Sequence, residues 1–214
     1  MLAGQVPARI AAGGWVVDLR DRRAFAACHV PGSLSFALGD AFATSLGWLL
    51  PDGAELTLLG ETPCRVAAAQ RELARIGVDR IAGAAIGAPA DWLGGEDPAS
   101  FPVSGFHGLA AARRRGGIVI LDVRRPLEWS ASHIEGAVHI PLHELPAGRG
   151  ELPATDTGRP PVWVHCQAGY RASVAASLLA AAGHQVTLVD DDYGRAAAAG
   201  LPLTGGTVPA APAA

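Results

Sequence analysis

The segment Val162-Trp163-Val164-His165-Cys166-Gln167-Ala168-Gly169-Tyr170-Arg171 carries the residue types that thiol chemistry needs, in a usable order. An apolar, strand-like run ends on Cys166. A glycine-containing loop then closes on Arg171, and an alanine-rich helical stretch runs on to Ala182. This layout predicts a sulfur atom at the mouth of a ring of backbone N–H groups, facing the positive end of a helix dipole. A thiol held there is biased toward thiolate, the nucleophilic form. Gly169 lets such a loop curl, and the backbone of Gln167, Ala168, Gly169, Tyr170 and Arg171 supplies donors for a polarizable anion. The planar fork of Arg171 suits an oxyanion, and a cation is unfavourable at a helix N-terminus unless something negative binds beside it.

The rest of the chain must position that loop. Its 214 residues, half of them hydrophobic, suit one large domain or two small ones. The formal net charge of -3 gives no basic footprint for nucleic acid or an anionic membrane. Every basic residue is arginine, and the triplet Arg113-Arg114-Arg115 reads as a solvated helix end. Three cysteines, Cys28, Cys64 and Cys166, do not make a disulfide framework. No signal peptide and no apolar run of membrane-spanning length is read, so the expected compartment is a reducing cytoplasm.

The chain also reads as two copies of one unit. Trp15-Val16-Val17-Asp18-Leu19-Arg20 and Val119-Ile120-Leu121-Asp122-Val123-Arg124 are short strands ending in Asp-x-Arg, and His29 and His133 each follow eleven residues after the aspartate. Leu56-Thr57-Leu58-Leu59 matches Val162-Trp163-Val164-His165 as a second buried strand, and Gly77 and Gly183 end the helices that follow. Repeats of this kind, with strands alternating with helices, predict α/β units with mostly parallel sheets and sites at the carboxyl ends of their strands. The expected division is a first unit over residues 1–95, a turn-rich linker at 96–103, a second unit over 104–204 and a mobile tail at 205–214.

With these residues in view, the chain resembles the rhodanese (sulfurtransferase) superfamily, and in particular a tandem of two rhodanese-like domains. The resemblance rests on Leu121-Asp122-Val123-Arg124, Glu128, His133-Ile134-Glu135-Gly136-Ala137-Val138-His139-Ile140-Pro141, the Cys166–Arg171 loop and Ala199-Gly200-Leu201-Pro202. Ser132 stands where the family pattern usually has glycine. The resemblance implies that Cys166 takes the outer sulfur of a donor such as thiosulfate as a persulfide, which a thiol or cyanide then removes. Arg171, Gln167, Ala168, Gly169 and Tyr170 would bind the substrate, and no metal or other cofactor is implied. The same resemblance allows a persulfide carrier that serves a protein partner. It also suggests a metallo-β-lactamase-fold persulfide dioxygenase as a partner, because similar pairs of an inactive and an active domain occur behind such enzymes. The metal motif of that module, His-x-His-x-Asp-His, is absent from this chain. Four residues separate Cys166 from Arg171, where phosphatase relatives carry five, and the shorter ring favours one sulfur atom over phosphate or arsenate.

In the first repeat Gly60 falls opposite Cys166 and Arg65 opposite Arg171, so the nucleophile is missing and the first unit is expected to be non-catalytic. Glu61 adds negative charge there, and Cys64 falls opposite Tyr170. Asp122, Arg124 and His133, like Asp18, Arg20 and His29, occur in both repeats and read as scaffold. Arg125 reads as a surface arginine and Tyr170 as a shaper of the pocket entrance. His165 reads as structural, because it points to the strand face opposite its neighbour. Pro141 breaks the spacing of His139 and His143 and argues against a metal pair.

Overall fold

The computed structural model describes residues 4–148, 152 and 160–205. The first half runs α1 (Gln5–Ala11), β1 (Trp15–Asp18), α2 (Arg22–Ala27), β2 (Leu34–Ser35), α3 (Phe42–Leu49), β3 (Leu56–Gly60), α4 (Pro63–Ala74), β4 (Ile81–Ile86) and α5 (Pro89–Trp92). The second half runs β5 (Val103–Ser104), α6 (Phe106–Arg115), β6 (Val119–Asp122), α7 (Pro126–Ala131), β7 (His133–Ile134), β8 (Val138–His139), α8 (Leu145–Gly148), β9 (Val162–His165), α9 (Tyr170–Ala181), β10 (Val186–Val189) and β11 (Leu203–Thr204).

Two parallel sheets result. The first has the order β2-β1-β3-β4. The second, β5-β10-β9-β6-β8, is the same arrangement with β5 added at one edge. β11 pairs antiparallel with β7 in a separate two-stranded ribbon. The registers are equivalent as well: Asp18 lies beside Leu59 as Asp122 lies beside His165. The next residue along each chain, Gly60 at the end of β3 and Cys166 just past β9, therefore occupies the same place at the carboxyl end of its sheet.

The shared sequence signatures perform shared structural work. Arg20 Nε sits 3.0 Å from Asp18 Oδ1 and Arg20 Nη2 donates to the Cys28 carbonyl at 2.7 Å. Arg124 Nε sits 3.0 Å from Asp122 Oδ1, and Arg124 Nη2 donates to the Ser132 carbonyl at 2.7 Å. Buried ion pairs survive when further hydrogen bonds satisfy both ions, and these arginines staple the end of one helix to the end of a strand. His29 stacks on Phe25 with Nδ1 2.8 Å from its carbonyl oxygen, and His133 stacks on Trp129 with Nδ1 3.0 Å from that carbonyl. These groups bind the scaffold in both halves, and none of them lines the chamber that holds Cys166.

The two halves share a core. Ala172 to Leu179 of α9 are all buried, as in a helix with protein on every side. One continuous apolar cluster joins Val17, Phe25, Phe36 and Leu58 of the first half to Leu121, Val164, Cys166 and Leu179 of the second. Fully burying one leucine such as Leu179 is worth roughly 1.5–3 kcal/mol. The backbone N–H of Ser35 donates to Ser177 Oγ at 3.0 Å, which ties β2 to α9. The turn-rich stretch read as a linker is pinned at its end. His29 and Ala99 exchange two backbone hydrogen bonds of 2.9 Å, and the buried ring of Phe101 lies 6.0 Å from Phe25. Val103 belongs to β5 of the second sheet. Of the expected tail, residues 206–214 lie outside the described residues. Among the described residues, no helix is long and apolar enough to cross a membrane.

Candidate active site

Cys166 leaves the end of β9 and is 2 % exposed, at the base of a chamber of about 500 Å³. The four residues that follow turn the chain into α9. Gly169, the residue before the helix, has φ 88°, a left-handed conformation that favours glycine. Ser173 N–H donates to the Gly169 carbonyl at 2.9 Å, whereas the N–H groups of residues 167–172 find no acceptor among the described residues. Such orphan donors are what a helix N-terminus leaves free. The side chains of Gln167 and Ala168 are exposed, so both residues bring only their backbone to the ring. Tyr170 lines the chamber, half-buried, and burial pushes its phenol well above the ordinary range, so it stays protonated.

Arg171, expected to bind the substrate, is ion-paired within the protein. Its Nη1 and Nη2 donate to Glu128 Oε2 and Oε1 at 2.6 and 2.7 Å, a bidentate pair. This hydrogen bonding holds the Glu128 carboxyl below its usual range and the Arg171 guanidinium above its own. Glu128 is itself fixed by α7, because the Arg125 N–H donates to its Oε2 at 2.9 Å, a first-turn cap. Arg171 thus props the loop against α7, and most of its charge is already balanced. Arg125 is exposed, as read from the sequence, and lines the Cys166 chamber with its guanidinium 5.6 Å from the ring of Trp48.

Five of the twelve residues that line the chamber come from the first half of the chain, which the sequence reading missed. Ala41, Thr44, Ser45 and Trp48 recur at the three- and four-residue spacing that shares a helix face, and that face of α3 closes over the loop beside Asp40. The core stripe of α3 is Phe42, Ser45, Leu46 and Leu49, and Trp48 lies off it at 44 % exposure. An aromatic residue off the buried stripe of an amphipathic helix is the signal that points to it.

A second contact from the first repeat sits behind the loop. Arg22 Nε donates to Asp190 Oδ1 at 2.7 Å, and Arg23 Nε donates to the other oxygen of that carboxylate, whose side chain is 1 % exposed. Asp190 follows β10 and backs directly onto Gly169, where an added Cβ would lie 2.0 Å from Asp190 Oδ1.

The other residues singled out in the sequence lie away from the thiol. In the first repeat a Cβ on Gly60 would lie 2.8 Å from Val66 Cγ2, whereas the equivalent of Val66 in the second repeat is the smaller Ala172. Arg65 donates to the Leu19 carbonyl at 2.8 Å and is spent on structure. Cys64 is exposed in the first turn of α4, and Cys28 is half-buried at the end of α2. His139 stacks on Trp129 with Nε2 2.9 Å from the Arg124 carbonyl oxygen, while His143 faces the edge of Trp48.

His165 is fully buried between Phe106 and Tyr193, on the sheet face away from Cys166, with Nε2 3.7 Å from Asp122 Oδ2. Burial pushes its imidazole down to about 4. An unfolded histidine titrates near 6.5, so between these values the unfolded chain holds a proton that the native chain refuses. Stability present above pH 6.5 is lost as pH falls, on the order of 3 kcal/mol by pH 4. His29, lowered mainly by burial, contributes with the same sign. Urea unfolding at a series of pH values between 4 and 7 should show this slope, and His165→Phe should flatten it.

Residues 107–197 match the model of the Rhodanese-like domain, so the second half of the chain carries a rhodanese-like domain around Cys166. An HTH-type transcriptional regulator of Mycobacterium tuberculosis is 34% identical over 100 residues, which cover 46% of this chain and 42% of the regulator. The match thus spans well under half of that relative's length. Among solved structures, the rhodanese-like domain of an Anabaena protein is 24% identical, with a TM-score of 0.42, over 53% of this chain and 86% of that one. The thiosulfate sulfurtransferase of Pseudomonas aeruginosa is 23% identical, with a TM-score of 0.43, over 90% of this chain and 37% of that one.

Proposed function

We propose that the protein is a sulfurtransferase that moves sulfane sulfur from thiosulfate, or a related persulfide donor, to a thiol or cyanide through a persulfide on Cys166. The observation that carries this reading is the seat of Cys166: a lone sulfur at the base of the chamber, beside the free N–H groups of residues 167–172 at the start of α9. The four-residue spacing from Cys166 to Arg171 favours one sulfur atom, and the loop offers N–H donors to an anion. Each step then needs only a thiolate and a held anion.

In the first half-reaction the Cys166 thiolate attacks the outer sulfur of thiosulfate. The new Sγ–S bond forms as the S–S bond of thiosulfate breaks, and sulfite leaves with the electron pair. The charge of the persulfide anion falls on the outer sulfur, inside the ring of N–H donors. In the second half-reaction the acceptor attacks that outer sulfur and the Sγ–S bond breaks. Cyanide leaves as thiocyanate, a thiol leaves as its persulfide, and the Cys166 thiolate is restored. No cofactor is required by either step. The Arg171–Glu128 pair positions the loop, and the first repeat, which we read as a non-catalytic rhodanese-like unit, closes the chamber with α3. A resting thiolate and a persulfide intermediate fit a reducing, cytoplasmic setting. A persulfide dioxygenase that consumes the product persulfide is the partner this chemistry suggests.

Steady-state rates with thiosulfate and cyanide varied together test the proposal. Double-reciprocal plots should be parallel, as covalent ping-pong transfer requires, with one sulfite released per thiocyanate. A single turnover that stalls until a protein partner is added would identify a carrier. No sulfite release at all would refute both.

A further inference from the structure

A second cleft, of about 740 Å³, opens beside the Cys166 chamber and is lined by Trp48, Arg125, Pro126, Leu127, Glu128 and His143. The two spaces are neighbours, and Trp48, Arg125 and Glu128 line both. Thiosulfate and cyanide are too small to use such a volume, which falls in the range that holds a small organic ligand.

Its lining is amphipathic in a defined way. Trp48, Pro126 and Leu127 present apolar surface, and Leu127 is 77 % exposed, the highest value among the exposed large hydrophobic side chains. Nothing in the fold calls for a leucine there, since α7 buries none of its residues. The charges are sorted as well. Glu128 is committed to Arg171 in a bidentate pair, and Asp40 lines the Cys166 chamber but not the cleft. Arg125 makes no ion pair among the described residues and lies over the Trp48 ring. His143 faces the same ring, 6.1 Å away, with its Nε2 3.3 Å from Glu144. The cleft therefore offers an aromatic and aliphatic wall with one uncommitted guanidinium at the mouth of the sulfur chamber.

We infer that this cleft is the acceptor subsite, and that the acceptor is a low-molecular-weight organic thiol with an apolar body and an anionic group. The inference rests on the sulfur-transfer reading and supplies the substrate class for its second half. The body of the thiol packs on Trp48 and Leu127, its anionic group pairs with Arg125, and its sulfur reaches the persulfide of Cys166. The acceptor thiol attacks the outer sulfur, the Sγ–S bond breaks, and the proton of the thiol stays with the product R–S–SH while Cys166 leaves as thiolate. The first repeat then has a defined part in the reaction, because Trp48 belongs to α3.

The test loads the whole protein from thiosulfate, confirms the added sulfur by intact mass, and follows its discharge by four acceptors. These are 4-(mercaptomethyl)benzoate, phenylmethanethiol (the ring without the charge), 2-mercaptoethanesulfonate (a charge without the ring) and cyanide. The wild-type protein should discharge fastest, among the thiols, to 4-(mercaptomethyl)benzoate. In Trp48→Ala and Leu127→Ser the ratio of its discharge rate to that of cyanide should fall about tenfold, the effect of losing one or two buried methylene equivalents. In Arg125→Ala the preference for the charged ring over phenylmethanethiol should disappear. Ratios taken within each variant are insensitive to the fraction of folded protein, and the exposed Leu127 can be changed without touching the core. Equal ratios in all variants, or discharge to cyanide but to none of the three thiols, would overturn the inference and leave sulfur loading intact. Failure to load at all would instead overturn the sulfur-transfer reading.

Discussion

Cys166→Ser should reduce sulfur transfer from thiosulfate to cyanide by about a thousandfold or more, the scale seen when a covalent nucleophile is removed. The reason is chemical rather than steric. Serine retains the shape of cysteine, but a hydroxyl at neutral pH is neither ionised nor able to hold a sulfane sulfur, so the first half-reaction has no product. The side chain is 2 % exposed and sits in the shared core, so the serine hydroxyl will cost some stability. That cost is expected to be about 1–2 kcal/mol and is measured by urea unfolding. Cys64→Ser is the matched control. Cys64 is exposed in the first turn of α4, and its replacement should leave both loading and turnover at the wild-type level.

Gly169→Ala should inactivate the protein nearly as completely, by displacing the loop rather than removing the sulfur. Two penalties coincide at this position. A non-glycine residue at φ 88° costs on the order of 1–3 kcal/mol. The added methyl would also lie 2.0 Å from Asp190 Oδ1, and that carboxylate cannot withdraw without abandoning Arg22 and Arg23. The loop must therefore move, and with it the N–H ring that holds the outer sulfur. A shift of about 1 Å in a reacting geometry can cost about a hundredfold in rate. The expected result is a loss of at least about a hundredfold in kcat/KM with thiosulfate, accompanied by a lowered unfolding midpoint. Wild-type turnover by Gly169→Ala would mean that the loop conformation is unimportant to the chemistry.

The local parts of this architecture were legible in the sequence. The Asp-x-Arg strand ends, the histidines eleven residues on, and the loop from Cys166 to Arg171 are short-range patterns; the first and last lie at the carboxyl ends of strands, and the histidines lie just past the ends of α2 and α7. The register of β1 with β3 and of β6 with β9 places Gly60 and Cys166 in equivalent positions, as the repeat comparison expected. What could not be read were contacts between residues far apart in the chain. Glu128 was visible as a motif residue, but its bidentate hold on Arg171 crosses 43 positions and changes the electrostatics of the site. Asp190 looked like one of three consecutive aspartates, and only the fold brings Arg22 and Arg23 to it. Trp48 was one aromatic residue in a helix of the half without a nucleophile. Its place beside Cys166 follows from α9 being buried by both sheets, which its even, alanine-rich composition permits without advertising a partner.

Whether Cys166 carries sulfur is decided by intact-mass measurement after incubation with thiosulfate. A gain of one sulfur atom is expected, located on Cys166 by peptide mapping, absent in Cys166→Ser, and removed by cyanide or a thiol. An unchanged mass, or an added sulfur on Cys28 or Cys64 with Cys166 unmodified, would contradict it.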